Sequence, residues 1–254
     1  FSISFEYNMQ NNTENDILQL PEKIAIEKGI QIVICIDEFQ QISDFEDSKT
    51  FQKKLRSVWQ LQQHVSYCLF GSKKHLMNEL FEKKNLPFYK FGDAIYLAKI
   101  ETKYWIEYIC KRFENTGKHI SPELAEEICR LVDNHSSYVQ QLSWLLWIRT
   151  INTATTEQLS YALEDLLDQN NILFQSETEN LSAYQMNFLK AIVDGIHTKF
   201  SSKEVISKYN LGTSANIVRL KNALLQKELI ETNGKEIVLA DPVFGVWFKK
   251  EMLY

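Results

Sequence analysis

The stretch Ile30–Gln41, I-Q-I-V-I-C-I-D-E-F-Q-Q, decides the fold of this chain. Its apolar part is rich in β-branched residues and has no polar face, which is typical of a central strand in a parallel sheet covered by helices on both sides. The run ends in two adjacent acids, Asp37 and Glu38. Open α/β sheets bind ligands at the C-terminal ends of such strands. The stretch therefore predicts an α/β fold with a candidate site at these two residues.

These two acids suit the chemistry of phosphoryl transfer. In that interpretation Asp37 holds Mg²⁺, directly or through water, and Glu38 polarises the water that attacks a γ-phosphate. The alternative is purely structural, because any α/β protein has several strand ends and a buried strand that stops in a polar turn has the same pattern. The stretch alone leaves both interpretations open.

The residues that follow predict a second strand parallel to the first. A helix is predicted over Thr50–Gln63 and a strand over Val65–Phe70, closed by Gly71-Ser72. Two strands joined by one helix make a parallel pair with a right-handed crossover. The strand ends then share one edge of the sheet, so we expect Ser72 beside Asp37 and Glu38. There its hydroxyl can sense a phosphate or position water.

No phosphate-binding loop of the form G-x-x-x-x-G-K-[ST] occurs in the sequence. Such a loop cradles phosphates with its backbone N–H groups and its lysine. The nearest string, Thr116-Gly117-Lys118-His119, follows a helix and is predicted to be a turn between helices. The chain begins at Phe1 without Met, so we expect it to be the C-terminal part of a longer protein that carries the loop. Phe1–Tyr7 alternates like an edge strand or a hairpin arm.

Composition fits a soluble cytoplasmic protein of two or three domains, since the chain has 254 residues, 44% of them hydrophobic and 24% charged. No apolar stretch approaches the ~20 residues needed to cross a bilayer, and no signal peptide opens the chain, so no membrane contact is predicted. The cysteines and histidines show neither C-x-x-C nor zinc-site spacing. We expect buried, reduced thiols at Cys35, Cys68, Cys110 and Cys129 rather than disulfides or metal ligands.

Three domains are predicted along the chain. Residues 1–98 form the α/β core, ending with a helix over Lys74–Phe81 and a third short strand at Ala94–Leu97. Residues 99–174 form a bundle of four helices, and Ser121-Pro122-Glu123 marks one helix start by an N-cap, a proline at N1 and an acidic first turn. The stretch Q-S-E-T-E-N at Gln175–Asn180 is weakly hydrophobic and is predicted to be a linker to the third domain, residues 175–254.

The third domain has the pattern of a winged helix-turn-helix. Helices are predicted at Ser182–Val193, at residues 202–208 and from the Leu211-Gly212-Thr213-Ser214 turn to about Lys227. Short strands at Leu229–Glu231 and Glu236–Leu239 flank the turn Thr232-Asn233-Gly234-Lys235. Asn-Gly between two apolar strands is the strongest short-range signal for a hairpin. Three helices followed by a hairpin describe this domain type.

Charge is segregated between this domain and the rest of the chain. Residues 181–254 hold ten Lys plus Arg and seven Asp plus Glu, a net charge of +3, whereas the preceding 180 residues hold 18 and 26, a net charge of −8. A net charge of +3 is modest for a DNA-binding domain, and winged helices of multidomain ATPases also bind proteins or autoinhibit, so DNA and protein partners both stay open. The candidate contacts lie on the third helix and at the hairpin tip: Thr213, Ser214, Asn216, Arg219, Lys221 and Lys235.

Six motifs in a fixed order resemble the prokaryotic AAA-like ATPases related to the STAND group, over essentially the whole chain. They are I-D-E-F-Q from Ile36, L-F-G-S-K-K-H-L-M-x-x-L-F from Leu69, W-I-E-Y-I-x-x-R-F from Trp105, N-H-S-S-Y-V-Q-Q-L-S from Asn134, L-G-T-S-A-N-I-x-R-L-K from Leu211 and D-P-V-F-G-V-W-F from Asp241. The resemblance implies a P-loop core, a helical lid and a C-terminal winged helix, with ATP and Mg²⁺ as cofactors.

The same resemblance implies roles for individual residues. It makes the apolar run within Ile30–Gln41 a Walker B strand, with Asp37 as the Mg²⁺-site acid, Glu38 as the catalytic acid and Ser72 as the sensor. It also makes His135 in N-H-S-S-Y a candidate nucleotide contact. The implied function is an ATP-dependent switch whose winged helix acts on a DNA or protein partner. The alternative is a non-enzymatic adaptor or DNA-binding regulator with a degenerate core.

The resemblance also predicts a gap in the sheet. In the five-stranded core that it implies, the strand before the phosphate-binding loop lies between the strand ending at Phe70 and the one near Ile95. Without that strand the sheet is split and apolar surface is exposed. We expect the gap to be covered by a preceding segment, by rearrangement of the remaining domains or by self-association into a homo-oligomer.

Overall fold

The computed structural model describes residues 14–252, apart from the side chains of Lys74 and His75. The predicted edge strand at Phe1–Tyr7 lies outside these residues. The chain divides into two units, Phe1–Tyr96 and Leu97–Tyr254. The predicted α/β class, the helix-rich character and the C-terminal winged helix are confirmed.

The first unit is built on a pair of parallel strands. β1 pairs with β2 in a register that runs from Ile32↔Val65 to Ile36↔Leu69, as the strand–helix–strand pattern predicts. Helix α1 was not foreseen, and Glu22 on it accepts hydrogen bonds from the backbone N–H groups of Gln63 and His64 just before β2. The elements are α1 (Glu14–Lys28), β1 (Ile32–Ile36), a 3-10 helix (Phe39–Asp44), α2 (Ser48–Trp59), β2 (Val65–Leu69) and α3 (Lys74–Glu82).

Only one face of this two-stranded sheet is covered within the described residues. Ile36, Tyr67 and Leu69 pack against a cluster that includes Phe39 and Trp59. Along β1 and β2 the burial alternates, and the residues between the covered ones are exposed, Val33 by 66%. The prediction of a strand covered on both faces is therefore wrong for the part of the chain that the structure describes. A β-branched run looks the same in sequence whether one or both of its faces are packed.

The third strand predicted at Ala94–Leu97 is also wrong. Residues 92–100 form no helix or strand, and Ile95 is 84% exposed. A strand needs a neighbour to pair with its backbone N–H and C=O groups, and among residues 14–252 the parallel sheet consists of β1 and β2 alone. An apolar sequence without a pairing partner stays irregular.

The second unit is helical and ends in a hairpin and a final helix. The predicted turn at Thr116–His119 is confirmed between the first two of these helices, and the last helix was not foreseen. The elements are α4 (Thr102–Glu114), α5 (Pro122–Leu131), α6 (Ser136–Arg149), α7 (Thr156–Glu179), α8 (Ala183–Val193), α9 (Lys203–Lys208), α10 (Ser214–Gln226), β3 (Ile230–Asn233), β4 (Glu236–Leu239) and α11 (Pro242–Met252).

Local signals set several helix starts. Ser121 Oγ accepts a hydrogen bond from the backbone N–H of Leu124 at the start of α5, with proline at N1. Thr155 and Ser182 each form a capping box with the glutamine three residues on, at the starts of α7 and α8. Each box satisfies two backbone N–H groups that a helix start leaves unpaired.

The linker predicted at Gln175–Asn180 is wrong, because α7 continues to Glu179. The polar residues of this stretch lie mainly on the outer side of the helix, while Phe174 and Thr178 are buried four residues apart. The Phe174 ring contacts Phe244 and Trp247 on α11, at centroid distances of 5.5 and 5.6 Å. A narrow buried side with one aromatic anchor, Phe174, sustains a helix that looks polar by average composition.

The hairpin turn lies one residue later than predicted. Because Asn233 pairs with Glu236, the two-residue loop is Gly234-Lys235, and β3 continues through Thr232 and Asn233. Gly234 has φ +62°, a left-handed conformation at the first loop position that glycine adopts without strain.

A single hydrophobic cluster runs through the second unit from Trp105 to Phe248. The helical bundle and the winged helix therefore share one core. Trp247 is 1% exposed, and its indole N–H donates to Asn171 Oδ1 at 2.8 Å, which joins α11 to α7. Between Glu14 and Met252, no helix combines the length and the apolarity needed to cross a membrane.

Candidate functional site

The chain segments that follow β1 and β2 are held side by side. The N–H of Phe39 donates to the carbonyl of Phe70 at 3.0 Å, and the N–H of Phe70 donates to the carbonyl of Ile36 at 3.1 Å. This places the two acids after β1 next to Ser72. Ser72 Oγ donates to both carboxylate oxygens of Glu38, at 3.1 and 3.3 Å. The structure thus brings the sequence-predicted Glu38 and Ser72 together.

The backbone turns sharply between the two acids. Glu38 has φ 49° and ψ 40°, the left-handed conformation, which costs a non-glycine residue roughly 1–2 kcal/mol. Its N–H donates to Asp37 Oδ1 at 2.8 Å, so the Asp37 carboxylate stabilises the turn. Residues held in such conformations cluster at functional sites. Here the turn directs the Glu38 side chain towards Ser72 and leaves Asp37 exposed.

Gln40 is a site residue that the sequence did not reveal. It is only 1% exposed, and its Nε2 donates to Glu38 Oε2. The Glu38 carboxylate is therefore held from two sides, by the Gln40 amide and by the Ser72 hydroxyl. In sequence Gln40 and Gln41 are equivalent. Only the 3-10 helix that begins at Phe39 turns one of them inward.

Gly71 makes room for this arrangement. A Cβ atom at Gly71 would lie 1.9 Å from Gln40 Oε1 and 3.0 Å from Gln40 Cδ, much closer than non-bonded atoms approach. Gln40 Oε1 is buried and has no hydrogen-bond partner within the described residues. A buried unsatisfied acceptor costs roughly 1–3 kcal/mol. The glycine therefore lets the amide pack directly against the backbone after β2.

The side chains of Asp37, Glu38 and Ser72 carry oxygen atoms of the kinds that suit a Mg²⁺ ion shared with a phosphate. Carboxylate and hydroxyl oxygens are the ligands that Mg²⁺ prefers, and in phosphoryl-transfer sites one or two protein carboxylates are completed by phosphate oxygens and water. Among residues 14–252, no group of three or more His, Cys, Asp or Glu side chains is placed to hold a metal ion. Asp37, Glu38 and Ser72 bring two carboxylates and one hydroxyl to the ends of β1 and β2, and a metal role for them stays a prediction.

His135 lies in the second unit, as the N-cap residue of α6. Its Nδ1 is buried and has no hydrogen-bond partner in the described part of the chain. Two contacts fix the loop before His135. The Asn134 amide donates to Thr102 Oγ1 at the start of α4 at 3.0 Å, and Asp133 pairs with Lys99, in the segment that precedes α4, at 2.6 Å. The unsatisfied nitrogen is chemically able to meet a ligand, and the nucleotide contact at His135 stays a prediction.

The predicted partner-contact residues occupy the start and outer side of α10. Thr213 is the N-cap residue, Ser214 is exposed at the first turn and Arg219 is exposed. Asn216 uses its Nδ2 to donate to the Leu211 carbonyl at 3.0 Å, which leaves its side-chain oxygen for a partner. Lys221 is half-buried on the flank of the helix.

The outer face of α10 carries little charge. Ile217, Leu220 and Leu224 face the core, and the opposite side presents Arg219 beside Val218, which is 62% exposed. The remaining exposed residues of this face are Ala215, Asn222 and Gln226.

The hairpin tip has mixed charge. Lys235 is exposed in the loop, and the exposed residues around it include the acids Glu231 and Glu236 on the two strands. A DNA backbone would meet one cation and two anions there, so this hairpin is electrostatically less suited to phosphate contact than its lysine alone indicates.

A partly buried polar cluster joins α6, α7 and α11. The Tyr138 hydroxyl donates to Asp241 Oδ2, while Asp241 Oδ1 accepts from the N–H groups of Val243 and Phe244 at 2.7 and 3.0 Å and so caps α11. Burial and the Asp241 carboxylate raise the pKa of Tyr138. Burial, and then the charge of Asp241, raise the pKa of Glu177 above its ordinary value. These residues tie the helical bundle to the winged helix.

Comparison with known proteins supports this architecture. Residues 172–250 match the family model of a probable winged helix domain. The chain superposes on the Walker-type ATPase Paby2304 of Pyrococcus abyssi with a TM-score of 0.72 and 16% sequence identity, covering 96% of this chain and 72% of that one. At that identity the likeness concerns the fold alone. The chain thus has a P-loop ATPase-like fold with a C-terminal winged helix.

Two other solved structures show weaker likenesses. The Aeropyrum pernix ORC2 protein gives a TM-score of 0.48 at 13% identity, covering 98% of this chain and 73% of that chain. The RuvB branch migration motor of Thermotoga maritima gives 0.45 at 13% identity, covering 96% and 76%. No curated protein matches the chain.

Proposed function

We propose that this chain belongs to an ATP-binding and ATP-hydrolysing molecular switch of the AAA-like, STAND type, whose winged helix couples the nucleotide state to a DNA or protein partner. The observation that carries the proposal is the pairing of Ser72 with Glu38, beside the exposed Asp37, where two parallel strands end. The P-loop ATPase-like fold supports it. Nucleotide sites of such folds lie at this edge of the sheet.

Each residue has a distinct role in the proposed site. The exposed Asp37 carboxylate binds Mg²⁺, directly or through water. Glu38 accepts a hydrogen bond from the attacking water, and its orientation is fixed by Ser72 and Gln40. The Ser72 hydroxyl can rotate its hydrogen bond from Glu38 to a phosphate oxygen, which makes it a sensor of the nucleotide. Mg²⁺, when bound, neutralises the charge that develops on the phosphate oxygens.

Substitution of the two acids separates binding from hydrolysis. In the full-length protein with Mg²⁺ and ATP, Glu38→Gln should bind ATP as the wild type does and release phosphate at least about a hundredfold more slowly, since a positioned base contributes about 10²–10⁴-fold. Asp37→Asn should weaken the Mg²⁺-dependent part of ATP binding. Fluorescent ATP binding and phosphate release are the two measurements.

The matched control is Glu46→Gln, which makes the same chemical change at an exposed loop position of the same unit. It should leave both ATP binding and phosphate release unchanged. Hydrolysis at the wild-type rate by the Glu38→Gln protein would remove Glu38 from the catalytic role. Equal Mg²⁺ dependence in Asp37→Asn and wild type would remove the metal role of Asp37.

A second candidate function is a non-enzymatic adaptor or DNA-binding regulator, in which the ATPase-like core has no catalytic role. The exposed Val218 and the mixed charge of the hairpin tip favour a protein partner for this surface, and a core without catalytic role gives no reason for that binding to depend on nucleotide. Partner affinity would then be the same with and without Mg²⁺-ATP, and would fall when Arg219 and Lys221 are replaced by alanine. A steep fall of affinity with salt would identify DNA, because phosphate neutralisation releases counterions. A shallow dependence would identify a protein.

A further inference from the structure

Two cysteines face each other across the parallel strands. Cys35 on β1 and Cys68 on β2 are register partners. Neighbouring strands lie about 4.8 Å apart, and a disulfide accepts Cα separations of roughly 4.4–6.8 Å. The backbone spacing is thus within the range of a covalent bridge.

Both thiols lie on the open face of the sheet. Cys35 and Cys68 are exposed, whereas Cys110 is half-buried and Cys129 is fully buried. The expectation of four buried thiols is therefore wrong for the strand pair. Register partners in a parallel pair direct their side chains to the same face, since successive residues alternate. Cys35 and Cys68 are thus exposed side by side on one face of the sheet, unlike the separate buried thiols that the sequence predicts.

We propose that Cys35 and Cys68 form a reversible redox site that a disulfide oxidant, such as glutathione disulfide, converts to an intramolecular cross-strand disulfide. One thiolate attacks a sulfur of the oxidant, forms a mixed disulfide and releases one glutathione. The second thiolate then attacks the protein sulfur of the mixed disulfide and releases the second glutathione. The two protein thiols lose two protons and two electrons, and one glutathione disulfide becomes two glutathiones.

The register makes the second step intramolecular and the product easily reduced. A disulfide brings its Cβ atoms to about 3.8 Å from each other, so the two side chains must turn towards each other on the exposed face of the sheet. A bond formed under that constraint and exposed to solvent returns readily to the dithiol in the presence of reduced glutathione.

The bridge would act on the candidate site, and this consequence rests on the proposed function. Cys35 lies two residues before Asp37, and Cys68 lies four residues before Ser72. A covalent link fixes the spacing of the two strand ends that carry Glu38 and Ser72. Oxidation should therefore change the rate of ATP hydrolysis in the full-length wild type. It should leave the rate unchanged in the double variant Cys35→Ser/Cys68→Ser, which forms neither the bridge nor a glutathione adduct at these positions.

The direct test needs no enzymatic activity. The full chain is incubated with glutathione disulfide, denatured, alkylated with N-ethylmaleimide and digested with trypsin. The expected result is a cross-linked pair made of residues 29–49 and 57–73, the loss of two alkylatable thiols of four, and full recovery of all four after reduction. Cys110 and Cys129 are internal controls, because Cys110 is half-buried and Cys129 is fully buried. Burial also raises the pKa of the Cys110 thiol and raises that of Cys129 to about 11, which lowers thiol reactivity.

Single-cysteine variants distinguish the bridge from simple thiol modification. Cys35→Ser and Cys68→Ser should each stop at one stable glutathione adduct. The proposal is overturned if the wild type also stops at glutathione adducts, if it links only between molecules, or if both thiols resist N-ethylmaleimide in the native protein. A cross-link without any change in ATP hydrolysis would keep the redox site and reject only its coupling to the proposed function.

Discussion

The two units of this chain form their hydrophobic cores differently. In the first, a two-stranded parallel sheet packs one face against an aromatic cluster centred on Phe39, Trp59 and Phe88, and no residue between Glu14 and Met252 covers its other face. In the second, helices from α4 to α11 and a hairpin surround one cluster that extends from Trp105 to Phe248. The winged helix and the helical bundle thus share one continuous core, whereas the strand pair exposes apolar residues such as Val33.

The candidate site and the larger hydrophobic core also lie in different units. The candidate site lies on the one-sided unit, where a left-handed Glu38, a buried unsatisfied Gln40 oxygen and exposed thiols are tolerated together. The left-handed conformation of Glu38 and the unsatisfied oxygen of Gln40 each cost stability. The second unit, by contrast, is packed continuously around one hydrophobic cluster.

Truncation of a core tryptophan in each unit tests this comparison most strongly. Trp247→Ala removes a ring that is 1% exposed, leaves a closed cavity and orphans Asn171, so it should cost about 3–5 kcal/mol. Trp59→Ala should cost less, because the cluster around it lies on an open sheet and can collapse. Hydrogen–deuterium exchange, read on peptides of each unit, measures the free energy of opening for both.

The control for both substitutions is Trp144→Ala. Trp144 is 56% exposed on α6, and surface changes usually stay within about 0.5 kcal/mol. A cost for Trp59→Ala as large as that for Trp247→Ala would show that the first unit is as tightly packed as the second.

The packing around the candidate site gives a smaller expected effect. Gly71→Ala places a methyl group 1.9 Å from Gln40 Oε1. The amide ends a flexible side chain, but it is buried and bonded to Glu38, so it can move away only by breaking that hydrogen bond. The cost should be about 1–3 kcal/mol, measured by the urea dependence of circular dichroism.

Two further variants make the Gly71 result specific. Gly92→Ala meets no atom within 4 Å and should not destabilise the chain. Gln40→Ala combined with Gly71→Ala should cost less than the sum of the two single changes, because the shorter side chain removes the clash. Additive costs would mean that the amide and the glycine do not interact.

Much of this architecture could be predicted from sequence, for identifiable reasons. The apolar run ending in Asp37 and Glu38 is long and uniform enough to be a strand, and its spacing from Val65 predicts the parallel pair and the approach of Ser72. Gln40 could not be found, since only the 3-10 turn distinguishes it from Gln41. The pairing of Cys35 with Cys68 depends on register, which no local pattern encodes.

The smallest expected effect tests the polar cluster of the second unit. The folded chain raises the pKa of Glu177 from 4.5, first by burial and then through Asp241. Its favourable contribution is complete below pH 4.5 and is lost as the pH rises through the folded pKa. Glu177→Gln should therefore be more stable than the wild type at pH 7, and the gain should shrink towards zero as the pH falls below 4.5. Parallel urea titrations across this range measure the difference, with the exposed Glu164→Gln of α7 as control. An equal gain at all pH values would show that Glu177 has the same pKa in the folded chain as in the unfolded one. Burial and the charge of Asp241 would then not disfavour its ionisation in the cluster that joins α6, α7 and α11.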